Sequence, residues 1–131
     1  MPSYHAPYED IKFLLQDVLQ AEQLASLPGY QDANLEMLET VIGAAGELCE
    51  QVLFPLNQPG DEEGCRFDNG VVTTPKGFKQ AYQTFREGGW TGLSCDPTYG
   101  GQGLPLLVNF IIDELVSSAN MSLGMYPGLS H

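Results

Sequence analysis

The sequence predicts an all-α fold, a helical bundle of four to five helices. Three observations carry that prediction. Apolar residues recur at three- and four-residue spacing in several segments, Pro and Gly separate those segments by short links, and only one stretch has the character of a hairpin.

The first helix opens near Pro7, with Glu9 and Asp10 in its first turn, where the helix dipole favours negative charge. Ile11, Leu14, Leu15, Val18 and Leu19 share one face, the pattern fades by Leu24, and Leu27-Pro28-Gly29-Tyr30 reads as a turn. The second helix starts from Asn34 as N-cap. Its stripe is Leu35, Leu38, Ile42, Ala45, Cys49 and Val52, with Glu36, Glu39, Glu47 and Glu50 on the opposite side, and Pro55 ends it. Residues 55–74 read as loop, within which Phe67-Asp68-Asn69-Gly70-Val71-Val72 suits a tight hairpin, because Asn-Gly tolerates positive φ. Thr74-Pro75 supplies the N-cap and first position of a third helix, whose inner face is Phe78, Ala81, Tyr82 and Phe85 and which Gly88-Gly89 stops. After a loop from Trp90 to Gly103, Pro105 starts a fourth helix carrying Leu107, Phe110, Ile111, Leu115 and Val116. A fifth helical segment begins after Ser117-Ser118, spanning Ala119 to Met125.

At 131 residues the chain is one domain's length, and 43% apolar against 17% charged residues argues for a packed core over disorder. With 17 acidic and five basic residues the net charge is −12, which disfavours nucleic acid and anionic membrane surfaces as partners. Cys49, Cys65 and Cys95 are scattered and odd in number, and His5 and His131 lie at the two ends, so no metal site is expected. Reduced thiols fit a cytoplasmic compartment. The first residues lack the pattern of a signal peptide, and the longest apolar run, Leu104 to Ile112, is too short to span a bilayer.

No catalytic constellation emerges from spacing. Gly101-Gln102-Gly103 lacks the preceding strand and third glycine of a dinucleotide fingerprint and reads as a turn into a helix. Asp113 and Glu114 are adjacent and diverge by about 100° on a helix, so they cannot serve one ligand as paired acid and base. Ser94 and Cys95 have no histidine nearby in sequence, and Cys49 lies on an apolar stripe as a small core residue.

The order of local motifs goes further. Glu50-Gln51-Val52-Leu53-Phe54-Pro55-Leu56-Asn57, Thr74-Pro75-Lys76-Gly77-Phe78, Gly88-Gly89-Trp90-Thr91-Gly92-Leu93 and Asp96-Pro97-Thr98-Tyr99-Gly100-Gly101-Gln102-Gly103-Leu104-Pro105 follow one another, with Asp113-Glu114-Leu115 and Ser118-Ala119-Asn120-Met121-Ser122 after them. In that order they resemble the acyl-CoA dehydrogenases. Pro2-Ser3-Tyr4-His5-Ala6-Pro7, Leu27-Pro28-Gly29-Tyr30 and Met125-Tyr126-Pro127-Gly128-Leu129-Ser130-His131 are similar to a branch with an N-terminal extension that includes 3-methylmercaptopropionyl-CoA dehydrogenases.

The resemblance implies residues 1–33 as an extension with one helix, and 34–131 as the family's N-terminal helical domain, ending before its middle β-domain. It implies a parent enzyme that oxidises the Cα–Cβ bond of an acyl-CoA thioester with FAD. A glutamate base removes the α-proton, hydride passes to the flavin, and an electron-transfer flavoprotein takes the electrons; the full-length enzyme is expected to be a homo-oligomer. Neither the base nor the principal flavin motif matches a residue here, so the chain alone is expected to be inactive and to bind no FAD. Gly124, Pro127 and Gly128, with Tyr126 close by, match the helix that lines the far end of the family's acyl pocket. The same Gly124 and Pro127-Gly128 are also residues that shape or break a helix. Two other readings stand beside the enzyme: a non-catalytic helical interaction module sharing the fold, and an acyl or lipid carrier with its own closed apolar cavity.

Overall fold

A computed structural model describes residues 3–129. They form a helical bundle with one two-stranded sheet, in the order α1 (Tyr8–Phe13), α2 (Leu35–Leu48), α3 (Asn57–Glu63), β1 (Arg66–Asp68), β2 (Val71–Thr73), α4 (Phe78–Glu87) and α5 (Leu106–Gly128). The expected all-α class is observed, with five α-helices among the described residues, although they are not quite the five expected from sequence.

Helix α2 is the bundle's central element. The Asn34 side chain accepts a hydrogen bond from the Met37 amide at 2.9 Å, the cap expected of it. Leu38, Ile42, Ala45 and Cys49 are all buried along one face. Beyond Leu48 the chain widens into a π turn, Cys49–Leu53, which shifts the inward position from Val52 to Leu53. Burial pushes the Cys49 thiol up to about 12, with the Glu50 charge adding to it, so Cys49 is a packing residue.

The first helix is shorter than its pattern. After Phe13 it continues as a π turn, Leu14–Val18, and Ile11 and Leu15 are buried while Leu14, Val18 and Leu19 are exposed. The extra residue in the wider turn rotates the later side chains off the face on which a 3.6-residue period places them. Side-chain bonds hold the preceding segment down. The Tyr4 hydroxyl lies 2.8 Å from Ser118 Oγ and donates to the Leu115 carbonyl at 3.3 Å, while its ring stacks on Phe54. The Ala6 amide donates to Glu50 at 2.9 Å, and the Tyr8 hydroxyl donates to the Glu39 carbonyl at 2.7 Å. Glu39 also meets Lys12 at 3.1 Å and accepts from Gln16. Glu39 of α2 and Glu50 of the π turn after it thus anchor the N-terminal segment, and Ile11, Leu15 and Ala21 join the same hydrophobic core as α2.

The stretch expected to be loop contains the short helix α3, which carries no apolar stripe and includes Pro59 and Gly60. The hairpin is as expected: Arg66 pairs with Thr73 and Asp68 with Val71, across Asn69 (φ 47) and Gly70 (φ 84). Thr74-Pro75 does not cap the next helix. Pro75 makes a turn, the Phe78 amide donating to its carbonyl, and α4 starts at Phe78 behind Gly77 in a left-handed conformation (φ 89). Phe78, Ala81 and Phe85 face inward as expected, whereas Tyr82 is partly exposed.

The Gly-rich segment before α5 is well bonded. The amides of Gln102, Gly103 and Leu104 donate to the carbonyls of Gly92, Cys95 and Leu93, and the Gln102 side chain donates to the Gly89 carbonyl. Gly101 is obligatory there, since a β-carbon would lie 2.1 Å from the Cys95 carbonyl oxygen.

The fourth and fifth expected helical segments are both present, joined end to end within α5 and parted by a kink. The break falls at Asn120 (φ −160, ψ 85), two residues beyond Ser117-Ser118. Its buried seam is Val108, Ile112, Leu115, Val116, Ala119 and Leu123; Phe110, expected inside, is 63% exposed. By length and mean hydropathy alone, 1.3 over 18 residues, α5 could cross a bilayer, and the helix is longer than the apolar run read from sequence because Asp113, Glu114 and the serines are built into it. In this fold that seam forms the bundle core, packed on α2, α3, α4 and the turns after α2.

Candidate functional site

The bend at Asn120 positions everything that follows it. Asn120 is 1% exposed, and each of its side-chain polar atoms is engaged. Its Nδ2 donates to the Leu53 carbonyl at 3.0 Å, and its Oδ1 accepts from the Leu123 amide at 3.0 Å and from Ser122 Oγ at 2.9 Å. The side chain therefore caps the second half of α5 while tying the bend to the end of the π turn. Beyond the bend, the last turns of α5 bring Tyr126 beside Phe78 of α4 and beside Cys65.

Tyr126 is the residue that this bend brings into a site. Its ring meets Phe78 edge-to-face, centroids 6.1 Å apart. With Thr74, Lys79 and Tyr82 the two rings line an open groove of about 340 Å³. The Tyr126 hydroxyl lies 3.8 Å from Cys65 Sγ. Burial raises the phenol above its ordinary pKa, and the hydrogen bond and charge of Cys65 act in the same direction. Lys79, one of only five cations in the chain, is the charged side chain of the groove.

The other residues singled out in sequence sit differently. Gly124 is half-buried, and a β-carbon there would come within 2.8 Å of Val116 Cγ1, so its lack of a side chain lets the two halves of α5 approach. Pro127 is half-buried in the last turn. A β-carbon at Gly128 would meet nothing within 4 Å. Of the four, Tyr126 lines the groove. Phe78, Thr74, Lys79 and Tyr82 were not singled out, although Phe78 and Tyr82, two aromatics four residues apart flanking a lysine, are the signal that could have found them. His131 lies outside the described residues.

A second open groove, about 430 Å³, runs between Leu19–Leu27 and Leu107. Neither groove is the enclosed cavity that a lone lipid carrier needs. Among the described residues no three His, Cys, Asp or Glu side chains gather as a metal cluster.

No family model matches the chain. It aligns over 98% of its length, at 37% identity, with 3-methylmercaptopropionyl-CoA dehydrogenase of Ruegeria pomeroyi. By sequence the chain belongs to the acyl-CoA dehydrogenase family. It is also 31% identical over 95% of its length to a butyryl-CoA dehydrogenase of Syntrophomonas wolfei, and 25% identical over 98% to the broad-specificity linear acyl-CoA dehydrogenase FadE5 of Mycobacterium tuberculosis. The chain spans about a fifth of these relatives: 22% of the first and 21% of the other two. Helices α1 to α5 are thus the counterpart of one part of an acyl-CoA dehydrogenase, and the branch expected from the N-terminal motifs is the one met at 37%.

Proposed function

We propose that this chain is the N-terminal helical part of a cytoplasmic, FAD-dependent acyl-CoA dehydrogenase that oxidises the Cα–Cβ bond of an acyl-CoA thioester. It contributes one wall of the acyl pocket, built on Gly124, Tyr126, Pro127 and Gly128. The supporting observation is the match along 98% of the chain to a 3-methylmercaptopropionyl-CoA dehydrogenase. The relatives' names span a thioether-containing acyl group, butyryl and linear acyl groups, so a compact acyl group such as 3-methylmercaptopropionyl is the first substrate to try.

Of the two grooves, one is lined by Gln20, Gln23 and Ser26 among leucines and alanine, and the other by Thr74, Lys79 and the rings of Phe78, Tyr82 and Tyr126. On the family resemblance, flavin contacts, the catalytic base and docking of an electron-transfer flavoprotein are assigned to other parts of a homo-oligomeric parent enzyme, and the chain alone is expected to be inactive. What these residues supply is an apolar boundary that excludes water and limits acyl length.

Gly128→Leu tests the wall in the full-length enzyme. A β-carbon at position 128 meets nothing within 4 Å, and leucine favours helix over glycine, so the melting curve should hold or rise. Long acyl-CoAs should suffer far more than short ones. Each excluded methylene carries about 0.8 kcal/mol, so two should lower kcat/KM for the longer substrate by roughly tenfold. A uniform loss across chain lengths would remove Gly128 from the pocket.

A further inference from the structure

Phe78 has two neighbours that define its position. Its edge faces Tyr126, and its Cε1 and Cζ lie where a β-carbon on residue 60 would come within 2.6 Å. Gly60 is itself buried, in the middle of α3, and Phe78 is 3% exposed, so the groove it lines is the side toward which the ring can give. Glycine in a helix interior is disfavoured relative to alanine, and at this position that cost is offset by seating an aromatic ring against the helix backbone. Tyr126, on the other wall of the same groove, is 41% exposed.

From this arrangement we infer that Gly60 is a specificity-determining position: it sets the width of the Phe78–Tyr126 groove, and so the length of acyl chain admitted, without touching the ligand. The inference rests on the acyl-pocket reading above. A side chain at 60 drives the Phe78 ring off α3 and toward Tyr126, narrowing the groove; a smaller residue at 78 relieves it.

The test uses the full-length enzyme with butyryl-CoA and octanoyl-CoA, in wild type, Gly60→Ala, and Gly60→Ala combined with Phe78→Leu. Gly60→Ala should lose about tenfold in kcat/KM on octanoyl-CoA relative to butyryl-CoA, equivalent to two methylenes excluded, and the double variant should recover most of that loss. A fluorotyrosine placed at 126 should report the same movement as a ¹⁹F shift in Gly60→Ala that returns in the double variant. Equal losses on both substrates, or no recovery on shrinking Phe78, would mean that Gly60 serves packing alone and would overturn the inference. A wild type indifferent to chain length, with the ¹⁹F shift still moving, would instead sink the acyl-pocket reading and the inference with it.

Discussion

Replacing Asn120 by alanine should destabilise the chain by about 2–4 kcal/mol, the sum of an unsatisfied buried carbonyl and a lost helix cap. The structure gives both terms. Without Nδ2 the Leu53 carbonyl loses its donor inside the core, and without Oδ1 the Leu123 amide opens the second half of α5 uncapped. Asn120→Asp separates them. It retains an acceptor for Leu123 but sets a carboxylate against the Leu53 carbonyl, so it should be at least as damaging as alanine. The measurement is a urea melt followed by circular dichroism, in which the midpoint should fall at unchanged slope. A loss under about half a kcal/mol would show that packing alone holds the bend.

Leu38→Ala should cost a similar amount, about 2–5 kcal/mol, for a different reason. Leu38 is 0% exposed in the middle of α2, where the core is closed by α5 and the turn after α2, and truncation leaves a cavity that three packed elements cannot all close. The same urea melt reads it. Because Asn120 and Leu38 act through distinct mechanisms, the pair of variants also separates polar satisfaction from packing in this bundle.

How much of this was legible in the sequence depended on how strongly each segment's pattern was polarised. Helix α2 has apolar residues on one side and glutamates on the other, so its face, its Asn34 cap and its buried cysteine could all be read. Asn69-Gly70 between short β-prone runs specified the hairpin in the same direct way. Helix α5 is apolar nearly all round, so several faces fit the period equally well; the stripe through Leu107, Phe110 and Ile111 is displaced by one residue from the buried Val108 and Ile112. The π turns after α1 and α2 were invisible because each inserts a residue that a fixed 3.6-residue period does not allow for. Helix α3 was missed because it has no apolar face; its one buried residue is Gly60.

The candidate site was legible only in part, and for a related reason. The resemblance led to the turn containing Tyr126, but its partners on α4 sit 40 to 50 residues earlier and meet it only because Asn120 bends α5. A buried asparagine in mid-helix looks like a liability in sequence. Here it is the device that aims the last two turns. Gly124 has a second part to play once Val116 is seen against it: besides its proposed place in the acyl wall, its small size lets the two halves of α5 approach.

The central claim, that the last two turns of α5 form part of an acyl-binding wall, is tested most directly by photolabelling. The full-length enzyme would be irradiated with an acyl-CoA bearing a diazirine at the far end of its chain, and the adducts mapped by mass spectrometry. The claim predicts label within Gly124 to Leu129, centred on Tyr126, and suppressed by excess unlabelled acyl-CoA. Competable labelling confined to other parts of the enzyme, with this segment untouched, would contradict it.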